Sequence, residues 1–258
     1  MGAIATYAAQ SLAAVRASFA DRTNFVLQMV GMAVNNGFWL ALWFLFFAGF
    51  GQVGGWRLGD VARMLGIIYT LFGTATVFFG GYRDMAGAIL RGDVDALLTQ
   101  PKPVLARLLA RESIPSAWGD LATGLTILIF SSRLDAGGAA LALAAVAIGL
   151  TAWLSTCVIF ASLAFWFSGA RTLSRDLMDF TLMISTYPAS IYSGWTKVLA
   201  FTVLPAGFVA MAPVGLVRNP SLEAAAIAIG GAAGYAALAL AVFHLGLRRY
   251  RRGASPGG

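Results

Sequence analysis

The residues able to do chemistry gather in two places. The first is the segment 83–112, where Arg83, Arg91, Asp93, Asp95, Arg107 and Arg111 alternate with the apolar groups Ile89-Leu90, Val94, Leu97-Leu98, Leu105 and Leu108-Leu109. The second is the interior of long apolar runs, which hold the carboxylate of Asp120 and the neighbouring amides of Asn35 and Asn36. Neither place pairs a nucleophile with a base. One cysteine, Cys157, and one histidine, His244, supply neither a disulfide nor a cluster of metal ligands. The expectation is therefore no catalytic residue and no metal. The first place offers surface charge for contacts. The second offers a carboxylate in an apolar setting, suited to a proton or a substrate, although Asp120 is close enough to a span end to reach headgroup water.

The remainder of the chain must position these groups, and it is apolar to an extent that a soluble fold does not tolerate. Of 258 residues 59% are hydrophobic and 11% charged, with a mean hydropathy of +0.77. Soluble domains carry roughly 25% charged residues, so this chain needs a bilayer to cover its surface. The formal charge of +7 is a weak case for nucleic acid, because the basic residues lie between apolar runs, where membrane topology places them.

A hydrocarbon core needs about 20 apolar residues per helix. Runs of that kind predict six transmembrane helices at about 25–49, 64–82, 114–132, 138–168, 177–193 and 223–247. The fold class is all-α, with a membrane domain over 23–252 and a disordered tail over 253–258. The first 20 residues lack the basic start and compact apolar core of a signal peptide. Ile4, Tyr7, Ala8, Leu12, Val15 and Phe19 instead recur at helical spacing. They predict an amphipathic helix within 1–22, lying in the membrane interface or docked on the protein. Between about 194 and 217 another apolar stretch is interrupted by Gly194, Pro205 and Pro213. Two short broken helices entering and leaving one face, a re-entrant element, fit it better than a seventh span.

Six spans put both termini on one side with 13 of the 18 basic residues, against five on the other. That bias makes the terminal side cytoplasmic. The 83–112 connector then lies on the cytoplasmic surface and, at about 30 residues, is far longer than a turn between spans requires. Asp93 and Asp95 suit the first turn of a short amphipathic helix, where the dipole favours carboxylates, and Pro101 with Pro103 ends it. Its polar face can meet a cytoplasmic partner or serve only as a cap. The arginines can do the same or bind anionic lipid headgroups. Arg171 and Arg175, one turn apart, mark a second cytoplasmic contact. Asn35 and Asn36 with Trp39 and Trp43 line a possible substrate path, or bond another helix and face lipid. Gly230 and Gly234 form a G-x-x-x-G pair for close helix packing, within the chain or across a dimer.

The run Arg91-Gly92-Asp93-Val94-Asp95-Ala96-Leu97-Leu98-Thr99-Gln100-Pro101 resembles the G-D-hydrophobic-D-x-L-L-x-x-P signature of ABC-2 type permeases. Tyr187-Pro188-Ala189-Ser190-Ile191-Tyr192, then Leu204-Pro205-Ala206-Gly207-Phe208 and Ala212-Pro213, resemble the segment that follows the fifth helix in the same branch. Met211-Ala212 departs from the aromatic residues more usual there.

The resemblance implies an exporter permease for an amphipathic or hydrophobic substrate, in a bacterial cytoplasmic (inner) membrane. It implies that Arg91, Gly92, Asp93, Asp95, Leu97, Leu98 and Pro101 couple to an ATPase, and that Tyr187, Pro188, Tyr192, Pro205 and Pro213 form a re-entrant gate. No G-x-x-x-x-G-K-[ST] loop occurs in the sequence, so ATP and Mg would sit on a separate cytoplasmic ATPase dimer. A second permease subunit, hetero rather than homo, and membrane lipids complete the expected partners. The rival readings are an ion-gradient-driven secondary transporter and a membrane scaffold.

Overall fold

The computed structural model describes residues 3–131 and 136–253. They form helices α1 (Ala3–Ser18), α2 (Arg22–Phe50), α3 (Leu58–Phe79), α4 (Met85–Leu90), α5 (Asp93–Leu98) and α6 (Val104–Leu109). These are followed by α7 (Ala117–Ser131), α8 (Ala136–Ser162), α9 (Ala170–Ser185), α10 (Gly194–Phe201), α11 (Ala212–Arg218) and α12 (Leu222–Arg251). No strand occurs among the described residues; a single β-bridge pairs Val53 with Trp56.

Local chemistry sets the ends of the long helices. Asp21 caps α2 by accepting from the Asn24 N–H at 3.0 Å. Gly51, at φ 66°, closes it by donating to the Phe47 carbonyl. Ser221 caps α12 in the same way, with Glu223 in its first turn and Arg248, Arg249 and Arg251 in its last, signs that complement the helix dipole.

Four stretches are long and apolar enough to cross a membrane: Arg22–Phe50, Leu58–Leu90, Gly137–Phe165 and Leu222–Arg251. They contain the expected first, second and sixth spans and all but the last three residues, 166–168, of the fourth. α3 starts six residues before the expected second span because Asp60 reaches back to the Arg57 N–H and pairs with Arg63. The third expected span becomes the 15-residue α7, since 114–116 is a turn. The fifth is shifted: α9 begins at Ala170 and stops at Ser185, ahead of Tyr187-Pro188. Proline disfavours helical backbone in the residue before it, and the polar half of the segment, Arg171 to Asp179, joins the helix as one amphipathic unit. The 194–217 region is short helices, as expected: α10, then a π-helical turn Gly207–Met211 that runs into α11. The tail beyond Gly253 lies outside the described residues.

α3 is the axis of the bundle. Val61, Ile67, Leu71 and Ala75 are fully buried along it. α7 packs closest, because Gly73 and Gly124 lack side chains. A Cβ on Gly73 would lie 2.5 Å from the Leu121 nitrogen, and one on Gly124 would strike the Thr70 nitrogen. On the opposite flank Trp153 of α8 meets Phe72 edge-on at 4.8 Å. α1 docks on the bundle: Tyr7 and Ser11 donate to the Phe78 carbonyl at 2.7 and 3.0 Å, and Gln10 donates to the Arg107 carbonyl. The first two bonds satisfy a carbonyl that the end of α3 leaves open. α2, by contrast, buries few residues and exposes Leu27, Val34, Phe38, Leu45 and Phe50.

Candidate functional site

At one end of the bundle the 80–112 segment folds back under α3 as a 3-10 turn (Gly80–Asp84) and the short helices α4, α5 and α6. The turn delivers Asp84 to the start of α9. Its carboxylate accepts from Arg91 at 2.9 Å, Arg171 at 2.9 Å and Arg175 at 3.0 Å. Arg91 also reaches Asp93 at 3.2 Å, and Arg111 reaches the same carboxylate at 3.1 Å. One chain of ion pairs thus ties α9 to α4, α5 and the end of α6. Gly87 sits against this cluster, where a Cβ would lie 2.7 Å from the Arg171 Nε and collide with Asp84. Each pair is partly exposed and individually weak; their value is as a network.

α5 is set by Gly92, whose φ of 80° turns the chain in the left-handed region that glycine tolerates. Asp93 and Asp95 then occupy the first turn of α5, as the sequence predicts. Burial of Asp93 opposes its charged form. The hydrogen bonds and charges of Arg111 and Arg91 outweigh that and hold its carboxyl below the ordinary range. Val94 is fully buried, and Leu97 and Leu98 pack on the core. Asp95, Ala96, Thr99, Gln100 and Pro101 stay exposed. The arginines read from sequence as a second contact, Arg171 and Arg175, belong to the same cluster as Asp93. Asp84 joins them. Its only sequence signal is an acid opening a basic segment.

Deeper in the bundle α2, α3, α7 and α9 line a part-open cavity of about 340 Å³. All four expected path residues, Asn35, Asn36, Trp39 and Trp43, line it. Asp120 lines it too, and Asn36 Nδ2 donates to Asp120 Oδ1 at 2.7 Å. Asn36 is midway along α2, roughly 20 Å from the helix start at 1.5 Å per residue. The bond therefore places the carboxylate level with the middle of a membrane-length helix, deeper than its place in the first turn of α7 suggests. Tyr69 and Phe72 of α3 and Met183, Thr186 and Tyr187 at the end of α9 close the walls. Trp43 and Tyr187 meet edge-on at 6.4 Å.

A family model described as ABC-2 family transporter protein matches residues 33–254. The chain belongs to this family. It is an integral membrane permease whose matched region takes in both the ion-pair cluster and the cavity. No curated protein and no solved structure gives a significant match.

At the other end of the permease stand the expected gate residues. Tyr187 reaches the cavity, Pro188 is buried, and Tyr192 Oη donates to the Ile184 carbonyl at 3.0 Å, folding the chain back on α9. The Pro205 carbonyl accepts from both Phe208 and Val209 and starts the π-helical turn, and Pro213 is buried at the start of α11. Arg218, over the Trp56 ring at 4.4 Å and bonded to the Gly55 carbonyl, pins this region to the loop before α3. Among the described residues Gly230 and Gly234 make no close packing: no neighbouring atom lies within 4 Å of a Cβ built on either. The close approaches on α12 are at Gly231, against the Phe208 ring, and at Gly246, against the Phe165 ring.

Proposed function

We propose that this chain is the permease subunit of an ATP-driven exporter, with ATP hydrolysed by a separate cytoplasmic ATPase dimer that docks on α5 and its neighbours. The observation that carries this is the build of the 80–112 segment. Its leucines hold it to the bundle, its charges clamp it to α9, and Ala96, Thr99, Gln100 and Pro101 present an exposed outer face beside Asp95, which bonds Tyr250. In this reading the ion-pair end is cytoplasmic, both termini lie there, and six segments run between the two ends. The membrane is a bacterial inner membrane, and 187–217 forms a re-entrant gate on the outer side. Two permeases, hetero rather than homo, share the ATPase dimer.

α9 supplies a mechanical link. Arg171 and Arg175 in its first turns grip Asp84, while Met183, Thr186 and Tyr187 at its end line the cavity. A push on the 80–98 segment is passed along one rigid helix to the cavity wall. An amphipathic or hydrophobic substrate suits that wall. A secondary transporter would need more intramembrane charge than Asp120 supplies, and a scaffold would have no use for a cavity.

The test is co-expression with ATPases encoded beside this chain, then purification through a tag on the permease. Co-elution of an ATPase, with hydrolysis stimulated by the permease, is expected. Replacing Asp93, Asp95, Leu97 and Leu98 together should abolish stimulation while membrane insertion persists. Unchanged stimulation would remove the coupling role from α5, and failure of every neighbouring ATPase to co-elute would remove the exporter.

A further inference from the structure

The cavity between α2, α3, α7 and α9 has a composition that selects among ligands. Five rings face it, from Trp39, Trp43, Tyr69, Phe72 and Tyr187, and it holds one carboxylate, Asp120. Among the described residues Asp120 has no ion-pair partner; Asn36 donates one hydrogen bond to it, and Arg83 acts on it only at a distance. A carboxylate at membrane depth without a counter-charge is costly unless something neutralises it.

Four classes of ligand can be weighed. An anion is repelled. A neutral amphipath makes no use of the carboxylate and leaves it to be neutralised by a proton. A bare metal ion needs several oxygen or nitrogen ligands, and no group of three acid, histidine or cysteine residues stands here or elsewhere among the described residues. An organic cation with its charge buried in hydrocarbon needs no hydrogen-bond acceptors. It gains from ring faces and from a carboxylate at short range.

We infer that this cavity is a binding site for a lipophilic organic cation of the quaternary ammonium or phosphonium class, with Asp120 as counter-ion and the five rings as its cage. Binding is independent of the exporter reading; that such a cation is the transported substrate rests on it.

The experiment uses the full chain in lipid nanodiscs and radiolabelled tetraphenylphosphonium, with empty nanodiscs as the blank. Saturable binding above the blank is expected. Asp120→Asn should weaken it about tenfold or more, and Trp43→Ala severalfold, in line with a desolvated charge pair and one ring face. Asp120→Glu should retain most of the affinity. Tetraphenylborate and neutral triphenylphosphine oxide should compete poorly. If Asp120→Asn does not fold, Trp43→Ala and the two competitors decide. Binding within twofold of wild type in Asp120→Asn, equal competition by the neutral or anionic probe, or no saturable binding would each overturn the site. ATPase co-elution measured on the same preparation separates the two proposals. A permease that holds its ATPase but not the phosphonium loses the cation site and keeps the exporter; one that binds the phosphonium without any ATPase does the reverse.

Discussion

Replacing Asp84 with Asn removes the charge from a carboxylate that meets three guanidinium groups, at 2.9, 2.9 and 3.0 Å. An exposed pair contributes about 0.2–1 kcal/mol, so three give at most about 3 kcal/mol. The Asp84 side chain is 29% exposed and its arginines are about half exposed, which screens the pairs and favours the lower half of that range. The amide keeps an acceptor oxygen, so geometry survives while charge is lost. A net loss of about 1.4 kcal/mol, or tenfold in an opening equilibrium, is the expected size.

The loss falls on the seam between α4–α5 and α9 rather than on the whole bundle, because α3, α7 and α8 do not touch Asp84 through any of these pairs. Amide hydrogen exchange of the permease in nanodiscs, read by mass spectrometry, is the assay. Peptides covering 85–98 and 170–178 should exchange about tenfold faster in Asp84→Asn, and peptides within α3 should not change. Asp60→Asn breaks an isolated pair with Arg63 and serves as the control, with no change at 85–98. In a double-mutant cycle, Asp84→Asn and Arg171→Gln should couple by about 0.5–1 kcal/mol. Exchange within twofold of wild type at 85–98, or strict additivity in the cycle, would refute the network and mean that α5 is held by its leucines alone.

Three further outcomes follow from neighbouring features. Gly92→Ala, at φ 80°, should cost about 1–2 kcal/mol for left-handed backbone and lower the thermal midpoint, whereas Gly230→Ala, with open space around it, should not. Gly124→Ala drives a methyl group into the α3 backbone at Thr70, and a loss of more than about 2 kcal/mol, visible as poor yield and broadened gel filtration, is expected. Asp93 is held below its ordinary range, so its pairing adds stability above about pH 4, the unfolded value, and loses it as pH falls through the lower folded value. Exchange at 93–98, corrected for intrinsic rates, should therefore stay flat from pH 7 to 5 and rise only in stronger acid, and Asp93→Asn should remove that rise.

What the sequence discloses depends on the range of the interaction that encodes it. Long apolar runs are local, and they mark α2, α3, α8 and α12 well because each carries its own hydrophobic length. Turn chemistry is also local, so Gly92, Pro101 and Pro103 place α5 and its end correctly. α9 is misread because its first half is polar on one face: hydropathy scores that half as loop, while in the fold it is the amphipathic start of a helix whose charges bind Asp84. The glycine pair is only half legible for a related reason. The G-x-x-x-G spacing identifies a small face but not what covers it, and in this chain the partner ring, Phe208, lies over Gly231 instead.

Pairings between distant positions are the least legible, and the candidate site is made of them. Asn36 and Asp120 are 84 residues apart, and Asp84 and Arg171 are 87 apart. The residue types announce that a buried amide or acid needs a partner, and that much is readable: the amides, the tryptophans and Asp120 all stood out as needing an explanation. Which partner each finds is decided by helix packing. α7 can bring Asp120 to the middle of α2 only because Gly119 lets it lie against the Met29 backbone, where a Cβ would collide. The cavity and the ion-pair cluster then share one element, α9, whose two ends the sequence presents as unrelated: a basic patch and a tyrosine-proline motif. Only the 16-residue helix between them connects the charge at Arg171 with the cavity wall at Met183, two residues before the helix ends and four before Tyr187.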